Sequence, residues 1–249
     1  MEINNKPTKN KFSRDGNIPD IIVCHQTAGT NINSAINWFM NPDSFTSANF
    51  LVGMDGKIIE CVPITEAAWC NGNKIKNNEA SASNYYKNSL NSIVRSRKIN
   101  ANKYTNSIEF VHQGDGNITE AQKASGLWLM NYIRSELKRI YGYDFIVDRL
   151  HIIGHCEISP INKAGCPGKL FPFRYFIDGL NKKDNVNIID DSETDKLKNK
   201  ISKITQIANV KVPHPVLSDD PEPAPKPNAF RNERLNSDTV RLNRAKGIK

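Results

Sequence analysis

Long apolar runs are missing from this chain of 249 residues, and the N-terminus lacks the apolar core of a secretory leader. The segment from Met1 to Pro7 is largely polar, whereas a helix that spans a bilayer needs about 20 apolar residues. We therefore expect no membrane span, and we expect synthesis in the cytoplasm without a signal peptide.

A regular cysteine framework is missing as well. The chain has an odd number of cysteines at irregular spacing, namely Cys24, Cys61, Cys70, Cys156 and Cys166. Small secreted domains held by disulfides carry even sets of cysteines, so that class is excluded. We interpret Cys24 and Cys156, each beside a histidine at the end of an apolar run, as buried free thiols. Cys166 differs, because it lies in a Lys-x-x-Cys-Pro-Gly loop.

Acidic residues are outnumbered by basic ones, 26 to 34, and the net charge of +8 favours an anionic partner. The candidates are nucleic acid and the phosphate polymers of a bacterial wall. Residues 226–249 are basic, but Phe230 is their only aromatic residue. Because proteins bind single-stranded nucleic acids with basic grooves and interleaved aromatic side chains, nucleic acid is the weaker candidate. We expect this tail to contact anionic wall polymers.

Composition divides the chain into three segments. Residues 1–182 are predicted to fold as one domain, and residues 183–218 to be a polar linker with one short amphipathic helix. The apolar stripe of that helix is Leu197, Ile201, Ile204 and Ile207. Residues 219–249 combine a proline-rich linker with the basic tail, and we expect them to be disordered or to order only on a partner.

Short apolar runs and amphipathic segments alternate within the first segment. Strands are predicted at residues 21–24, 48–52, 57–62, 107–111 and 145–153, and helices at 33–40, 119–140 and 172–180. Asp55-Gly56 between two apolar runs indicates a hairpin, and Thr119 with Gln122 indicates a capping box. Residues 71–105 are weakly periodic, so we expect a long surface excursion there. The mixed order predicts an α/β fold with a central, mainly mixed β-sheet flanked by helices.

Two of the apolar runs end in a histidine, which makes them candidates for a metal site. His25 follows Ile21 to Cys24, His155 follows Ile152-Ile153-Gly154, and Cys166 comes shortly afterwards. Two imidazoles and a thiolate are good zinc ligands, and three protein ligands leave one position open, as in catalytic zinc sites. The alternative is that each strand-end histidine is structural, and spacing alone leaves both readings open.

Two charged residues are candidates for catalytic roles beside such a metal. Glu109 lies in a predicted strand, where a charge is costly, and a carboxylate near zinc could take a proton from water. Lys163 precedes Cys166 by three residues and could stabilise an oxyanion. The alternatives are a solvent-facing glutamate and an ordinary surface lysine. His112 is a candidate for substrate contact, whereas His151 would lie about 13 Å from His155 in a continuous strand.

Several motifs occur in an order that resembles a known family. They are His25-Gln26-Thr27-Ala28, Ser47-Ala48-Asn49-Phe50, Asp55-Gly56, Ala68-Trp69-Cys70-Asn71-Gly72, Ser107-Ile108-Glu109, Gly154-His155, Ile158-Ser159-Pro160, Lys163 and Cys166-Pro167-Gly168. Over roughly residues 15–180 the chain resembles the zinc-dependent N-acetylmuramoyl-L-alanine amidases related to peptidoglycan recognition proteins. That family has a central mixed sheet flanked by helices, with Zn²⁺ at the floor of a substrate groove.

The resemblance implies a role for each candidate residue. Zn²⁺ would be bound by His25, His155 and Cys166, with Glu109 as the base and Lys163 as the stabiliser of the intermediate. Residues in contact with the substrate would be Trp69, Asn71 and Asn49. The substrate would be peptidoglycan, cut at the amide between the lactyl group of N-acetylmuramic acid and L-alanine.

The chain departs from the family pattern in three places. Ala48 stands where some members have an active-site tyrosine, so Glu109 would carry proton transfer alone. Asn49 or Cys70 stands where others have histidine, and the segment 71–105 is longer than the usual connection.

The resemblance favours a phage-type endolysin or autolysin that reaches the cell wall through a separate pore. One alternative is a cytosolic amidase that trims recycled wall fragments. The other is a peptidoglycan-binding module without activity, which would be expected to lack a zinc ligand, whereas this chain keeps all three.

Overall fold

A six-stranded sheet lies at the centre of the computed structural model, which describes residues 1–71, 75–76, 79–80 and 86–182. In chain order the strands are β1 (Ile3–Asn5), β2 (Lys11–Ser13), β3 (Ile21–Gln26), β4 (Phe50–Val52), β5 (Ile58–Glu60), β6 (Glu66–Ala68), β7 (Ile75–Lys76), β8 (Glu79–Ala80), β9 (Thr105–Phe110) and β10 (Ile152–Gly154). The α-helices are α1 (Ile32–Met40), α2 (Ser92–Arg97), α3 (Glu120–Tyr141), α4 (His155–Ile158) and α5 (Phe173–Asn181). Short 3-10 turns are formed by Pro42–Ser44, Tyr86–Asn88 and Ala101–Tyr104.

The order of the strands brings several chain segments to one edge of the sheet. That order is β1-β5-β4-β9-β3-β10, and β4, β9, β3 and β10 are mutually parallel, while β5 runs antiparallel to β4. The carboxyl ends of the parallel strands therefore meet at the same edge. His25 is paired with Glu109, and Gly154 with Cys24, so His155 comes level with His25. The predicted α/β class with a mixed sheet flanked by helices is confirmed.

One face of the sheet is covered by α3 and α5. Its core contains Phe50, Ile108 and Phe110 from the strands, together with apolar residues of both helices. The helix residues in this core are Leu129, Met130, Ile133, Leu137, Phe176 and Leu180. Gly126 permits the close approach of α3, since a Cβ atom there would lie 2.9 Å from the rings of Phe110 and Phe176. This face forms the main core of the domain.

The opposite face is covered in two separate patches. Ile21 and Val23 pack with Ile153, Val94, Ala101 and Tyr104 in one buried cluster. Leu51 and Ile59 pack with Ile36 and Phe39 of α1 in another. Side chains alternate between the faces of a strand, so His25 shares this face with Ile21 and Val23, and Glu109 shares it with its partner Leu51. His25 and Glu109 thus lie on the face that is covered by two separate apolar clusters.

The helices and the hairpin expected from the sequence are confirmed. The predicted helices 33–40, 119–140 and 172–180 correspond to α1, α3 and α5. Thr119 and Gln122 form the expected capping box at the start of α3. The turn between β4 and β5 is closed by a hydrogen bond from the Gly53 amide to the Lys57 carbonyl, and Gly56 has a φ of 85°.

Two expectations were wrong. The strand predicted at 145–153 is paired only over Ile152–Gly154, because Asp148 Oδ1 accepts hydrogen bonds from the amides of Leu150 and His151. Such local side-chain bonds compete with a strand ladder. The surface excursion predicted at 71–105 is also incorrect for its second half, where Val94, Ala101 and Tyr104 are buried.

The predicted linker at 183–218, its apolar stripe and the tail at 219–249 lie outside the described residues. Within the part of the chain that the structure describes, no helix has the length and apolar character needed to cross a membrane.

Replacing Gln122 with alanine should destabilise the domain by about 2–4 kcal/mol, since buried carbonyls would lose their partner. Gln122 is fully buried, and its Nε2 donates to the carbonyls of Val52 and Val111 at 3.1 and 3.0 Å. Urea unfolding measures the effect. The exposed Gln113 provides a matched control, and Gln113→Ala should change the unfolding free energy by less than about 0.5 kcal/mol. Equal effects of the two substitutions would contradict the role of Gln122.

Candidate active site

Two histidines and a cysteine converge at the carboxyl edge of the parallel strands. His25 ends the buried part of β3, His155 begins α4 directly after β10, and Cys166 comes from the following loop. His25 Nδ1 lies 3.0 Å from His155 Nδ1 and 3.9 Å from Cys166 Sγ. The ligand atoms of the three residues all lie within 4.8 Å of one another. The three side chains form a single cluster of donor atoms.

This cluster fits a tetrahedral metal ion. Bonds of about 2.1 Å to nitrogen and about 2.3 Å to sulfur place the ligands of a tetrahedral zinc about 3.3–3.6 Å apart, close to the observed separations. Burial lowers the pKa of His25, and the positive charges of His155 and Lys163 lower it further. Burial also lowers the pKa of His155, to about 3, with Lys163 contributing. Both rings are therefore neutral at physiological pH, which is the form that binds a metal.

The loop with Cys166 is fastened to the strand ends by backbone hydrogen bonds. The Cys156 amide donates to the Cys166 carbonyl at 2.9 Å, and the Cys166 amide donates to the Lys163 carbonyl at 3.0 Å. Gly154 permits this approach, because a Cβ atom there would lie 2.7 Å from Pro167 Cδ. The glycine at the end of β10 thus allows the loop to bring its thiol to the histidines.

Glu109 lies beside the same cluster. Its Oε1 atom is 3.9 Å from His25 Nδ1 and 3.6 Å from Cys70 Sγ. Its Oε2 atom is buried and has no hydrogen-bond partner among the described residues. Burial raises the pKa of Glu109 to about 7, against the hydrogen bond from Cys70 and the charge of Lys163, which both lower it. A carboxyl group that titrates near neutrality next to a metal site is suited to proton transfer.

Comparison with known proteins identifies the family. The family model for N-acetylmuramoyl-L-alanine amidases matches residues 15–169, a range that contains His25, Glu109, His155 and Cys166. The chain belongs to this family. The amidase has no match among the curated proteins.

Three of the solved structures that are similar to the amidase are an AmpD derivative, an endolysin and another N-acetylmuramoyl-L-alanine amidase. A selenomethionine derivative of AmpD is 21% identical, with 72% of this chain and 94% of that chain covered and a TM-score of 0.49. A mutant endolysin from Bacillus subtilis is 20% identical, with 72% and 99% covered and a TM-score of 0.47. The amidase LysC from Clostridium intestinale URNW is 18% identical, with 75% and 99% covered and a TM-score of 0.41.

Cys70 is a residue of the amidase site for which no role was predicted from the sequence. Its Sγ atom lies 3.4 Å from His25 Nε2, on the opposite side of the ring from the cluster of donor atoms. Burial raises the pKa of the Cys70 thiol, and the neighbouring Glu109 raises it further. The one available signal was its place in the Trp69-Cys70-Asn71 motif, at a position where other family members have histidine.

Lys163 and Trp69 lie on the accessible side of the site. Lys163 is exposed, and its positive charge acts on both histidines and on Glu109. Trp69 is partly exposed and stacks on Phe45, with the ring centroids 5.7 Å apart and the planes 5° from parallel. Both placements are compatible with the roles predicted from the sequence, which stay predictions.

Asn49 and Asn71 lie inside the domain, at 0% and 1% exposure. Asn49 Oδ1 accepts a hydrogen bond from the Ser107 amide, and its Nδ2 donates to the carbonyls of Val62, Pro63 and Glu66. Asn71 Nδ2 donates to Thr105 Oγ1 at 2.7 Å and to Ser107 Oγ at 3.0 Å. The substrate contacts expected of these two residues stay predictions, and the structure gives both of them an internal role on β9.

The two further candidates for a ligand role, His112 and His151, are not in the cluster of donor atoms formed by His25, His155 and Cys166. His151 Nδ1 is instead 2.7 Å from Asp148 Oδ1, within the turn before β10.

Glu109→Gln should lower kcat/KM of the amidase about 10²- to 10⁴-fold, because the amide preserves the shape of the side chain but cannot take up a proton. Hydrolysis of a soluble muropeptide measures the effect, and the metal content should be unchanged. Glu60→Gln, on the partly buried end of β5, is the matched control and should retain wild-type activity. Activity of Glu109→Gln within threefold of wild type would contradict the role of this carboxylate.

Proposed function

We propose that this amidase is a zinc-dependent wall lysin of the phage endolysin or autolysin type. It would cut the amide between the lactyl group of N-acetylmuramic acid and L-alanine in intact peptidoglycan. The observation that carries the proposal is the convergence of His25, His155 and Cys166 within 4.8 Å, beside a glutamate with one carboxylate oxygen that has no hydrogen-bond partner in the described part of the chain.

Zinc would be held by the two imidazoles and the Cys166 thiolate. The chemistry that zinc supplies in such sites is polarisation of the substrate carbonyl and a lowered pKa of water, from 15.7 toward about 7. Two imidazoles and one thiolate leave the fourth position for a substrate or water. The donor set of this chain is therefore that of a catalytic site.

Glu109 would move the proton. Its Oε1 atom receives the Cys70 thiol proton as a hydrogen bond, whereas Oε2 is free among the described residues. Oε2 is therefore the atom that takes the proton from the attacking water and passes it to the departing amine. Because Ala48 stands where some family members have a tyrosine, no phenol from that position assists, and Glu109 carries both transfers.

Lys163 would stabilise the negative charge that develops on the carbonyl oxygen of the substrate. Its charge already acts on His25, His155 and Glu109, so it lies within electrostatic range of the reacting centre. A cation near a developing oxyanion acts most strongly where water is excluded, as it is around the buried histidines.

The basic tail favours the intact wall over soluble fragments as the substrate. Residues 226–249 contain seven Lys and Arg against two acidic residues, which gives a net charge of +5. A polyanionic wall polymer would attract this segment, and salt would screen the attraction over a Debye length of about 8 Å at physiological ionic strength. Small recycled fragments offer no comparable polyanion.

Cys166→Ser should weaken zinc binding and abolish wall lysis together, because serine is a poor zinc ligand compared with thiolate. Zinc content measured by elemental analysis and turbidity loss of purified walls are the two readouts. Cys156→Ser is the matched control, since Cys156 lies next to His155 but is not one of the three candidate ligands. Lysis that survives the loss of zinc would show that the proposed mechanism is wrong.

Digestion of purified wall by the full chain should expose new L-alanine amines, detectable by end-group labelling, faster than digestion of a soluble muropeptide at equal bond concentration. A variant with Arg231, Arg234, Arg241 and Arg244 replaced by Gln should lose most wall binding at low salt, because it removes four of the positive charges. Its activity on the soluble muropeptide should be unchanged.

Other outcomes would identify the alternatives. Preference for the soluble muropeptide, with no effect of the arginine substitutions, would indicate a recycling amidase. Wall binding without new L-alanine amines would indicate a binding module.

A further inference from the structure

Cys70 contacts two residues of the site at once, although the mechanism above gives it no chemical step. Its Sγ atom lies 3.4 Å from His25 Nε2 and 3.6 Å from Glu109 Oε1. His25 would bind the metal through Nδ1, the nitrogen that faces His155 at 3.0 Å. Cys70 therefore contacts Nε2, the ring nitrogen that would not bind the metal.

The direction of the two contacts follows from the hydrogen count. A thiol has one proton, and the Cys70 thiol donates it to Glu109 Oε1. The sulfur can then act toward His25 only as an acceptor, a role that fits the tautomer with the ring proton on Nε2. A neutral imidazole has one protonated nitrogen, and Nδ1 is thereby left with a free lone pair. The two hydrogen bonds therefore run in one direction, from His25 Nε2–H to Cys70 Sγ and from the Cys70 thiol to Glu109 Oε1.

The backbone at Cys70 is held by the 3-10 turn Ala101–Tyr104 and, through its neighbour Asn71, by β9, the strand that carries Glu109. Asn102 Oδ1 accepts hydrogen bonds from the amides of Cys70 and Asn71, at 3.3 and 2.6 Å. The Asn71 side chain donates to Thr105 and Ser107 of β9. The thiol is thus anchored on β9 and contacts His25 on the neighbouring strand β3.

We propose that Cys70 is a positioning residue that holds His25 in the tautomer with Nδ1 free for the metal and holds Glu109 with Oε2 free for the proton. The proposal rests on the zinc site of the proposed function. Metal-binding histidines donate their second ring N–H to an outer partner, and loss of that partner weakens metal binding about 10- to 100-fold. Because the Cys70 sulfur would accept from His25 and also orient Glu109, it would couple the metal ligand to the residue that takes up the proton.

The tautomer can be measured directly in the metal-free full chain from the ¹⁵N shifts of the His25 ring. Wild type and Cys70→Ser, which keeps one donor and one acceptor, should show the Nε2–H form. Cys70→Val, which has neither, should shift His25 toward the Nδ1–H form, while the His155 signals serve as an internal reference. Cys70→Ala also lacks the thiol and serves as a second variant if the Cys70→Val protein does not fold.

Zinc affinity from competition with a chromophoric chelator is the second readout. Cys70→Val or Cys70→Ala should bind zinc about 10- to 100-fold more weakly, and Cys70→Ser should stay within about threefold of wild type as the conservative rescue. Cys156→Ser is the control for loss of a neighbouring thiol. Neither readout uses peptidoglycan, so failure of the lysin proposal and failure of this one are distinguishable.

Two results would overturn the proposal. In the first, removal of the thiol leaves the His25 tautomer unchanged and zinc affinity within twofold of wild type. In the second, Cys70→Ser diminishes the thiolate-to-cobalt charge-transfer band of the Co²⁺-loaded protein as Cys166→Ser does, which would make Cys70 a metal ligand. Retention of the full band in Cys70→Ser, with loss in Cys166→Ser, supports the positioning role.

Discussion

In-register parallel pairing of β3 with β9 and β10 is the constraint on which the site depends. The pairing sets His25 opposite Glu109 and brings His155 level with both. Because side chains alternate between faces with a period of two, a slip of one residue would move Glu109 to the opposite face, among the core residues under α3. Both faces of β3 and β9 are buried, so such a slip would also exchange the side chains of two separate apolar clusters.

The face of the sheet opposite α3 and α5 is covered by two separate apolar patches. Polar side chains lie between these patches and are still largely shielded from solvent. Most of the polar side chains there hydrogen-bond to one another or to the backbone, and three asparagines make many of these bonds, whereas Glu109 Oε2 has no partner among the described residues. Asn49, Asn71 and Asn102 are all buried, and each binds to β9 or to the backbone next to it. A buried hydrogen-bond network of this kind favours one arrangement of its members. The geometry of the site therefore depends on these buried amides.

The candidate ligands His25 and His155 and the candidate base Glu109 could be picked out from the sequence because each leaves a local mark. His25 and His155 each end an apolar run, and Glu109 is a charge inside one. The contacts of Cys70 and Asn71 were not predictable, because they depend on residues more than thirty positions away, such as Asn102 and Thr105. The same holds for the buried Val94 and Tyr104, whose spacing in a polar segment has no helical or strand period. At residues 145–151 the apolar pattern was misleading, because the side chain of Asp148 closes a turn.

The three candidate metal ligands differ in how they are held. The imidazoles of His25 and His155 belong to buried strand ends, whereas Cys166 comes from a loop whose neighbours Lys163, Ala164 and Gly165 are exposed. A loop can open locally at a smaller free-energy cost than a core strand. At the proposed zinc site, an ion would therefore enter or leave by movement of one thiol, with the sheet intact around a preformed pair of nitrogens. Metal exchange would then be separate from folding, and a chain folded in zinc-poor surroundings would be ready for activation when the ion arrives.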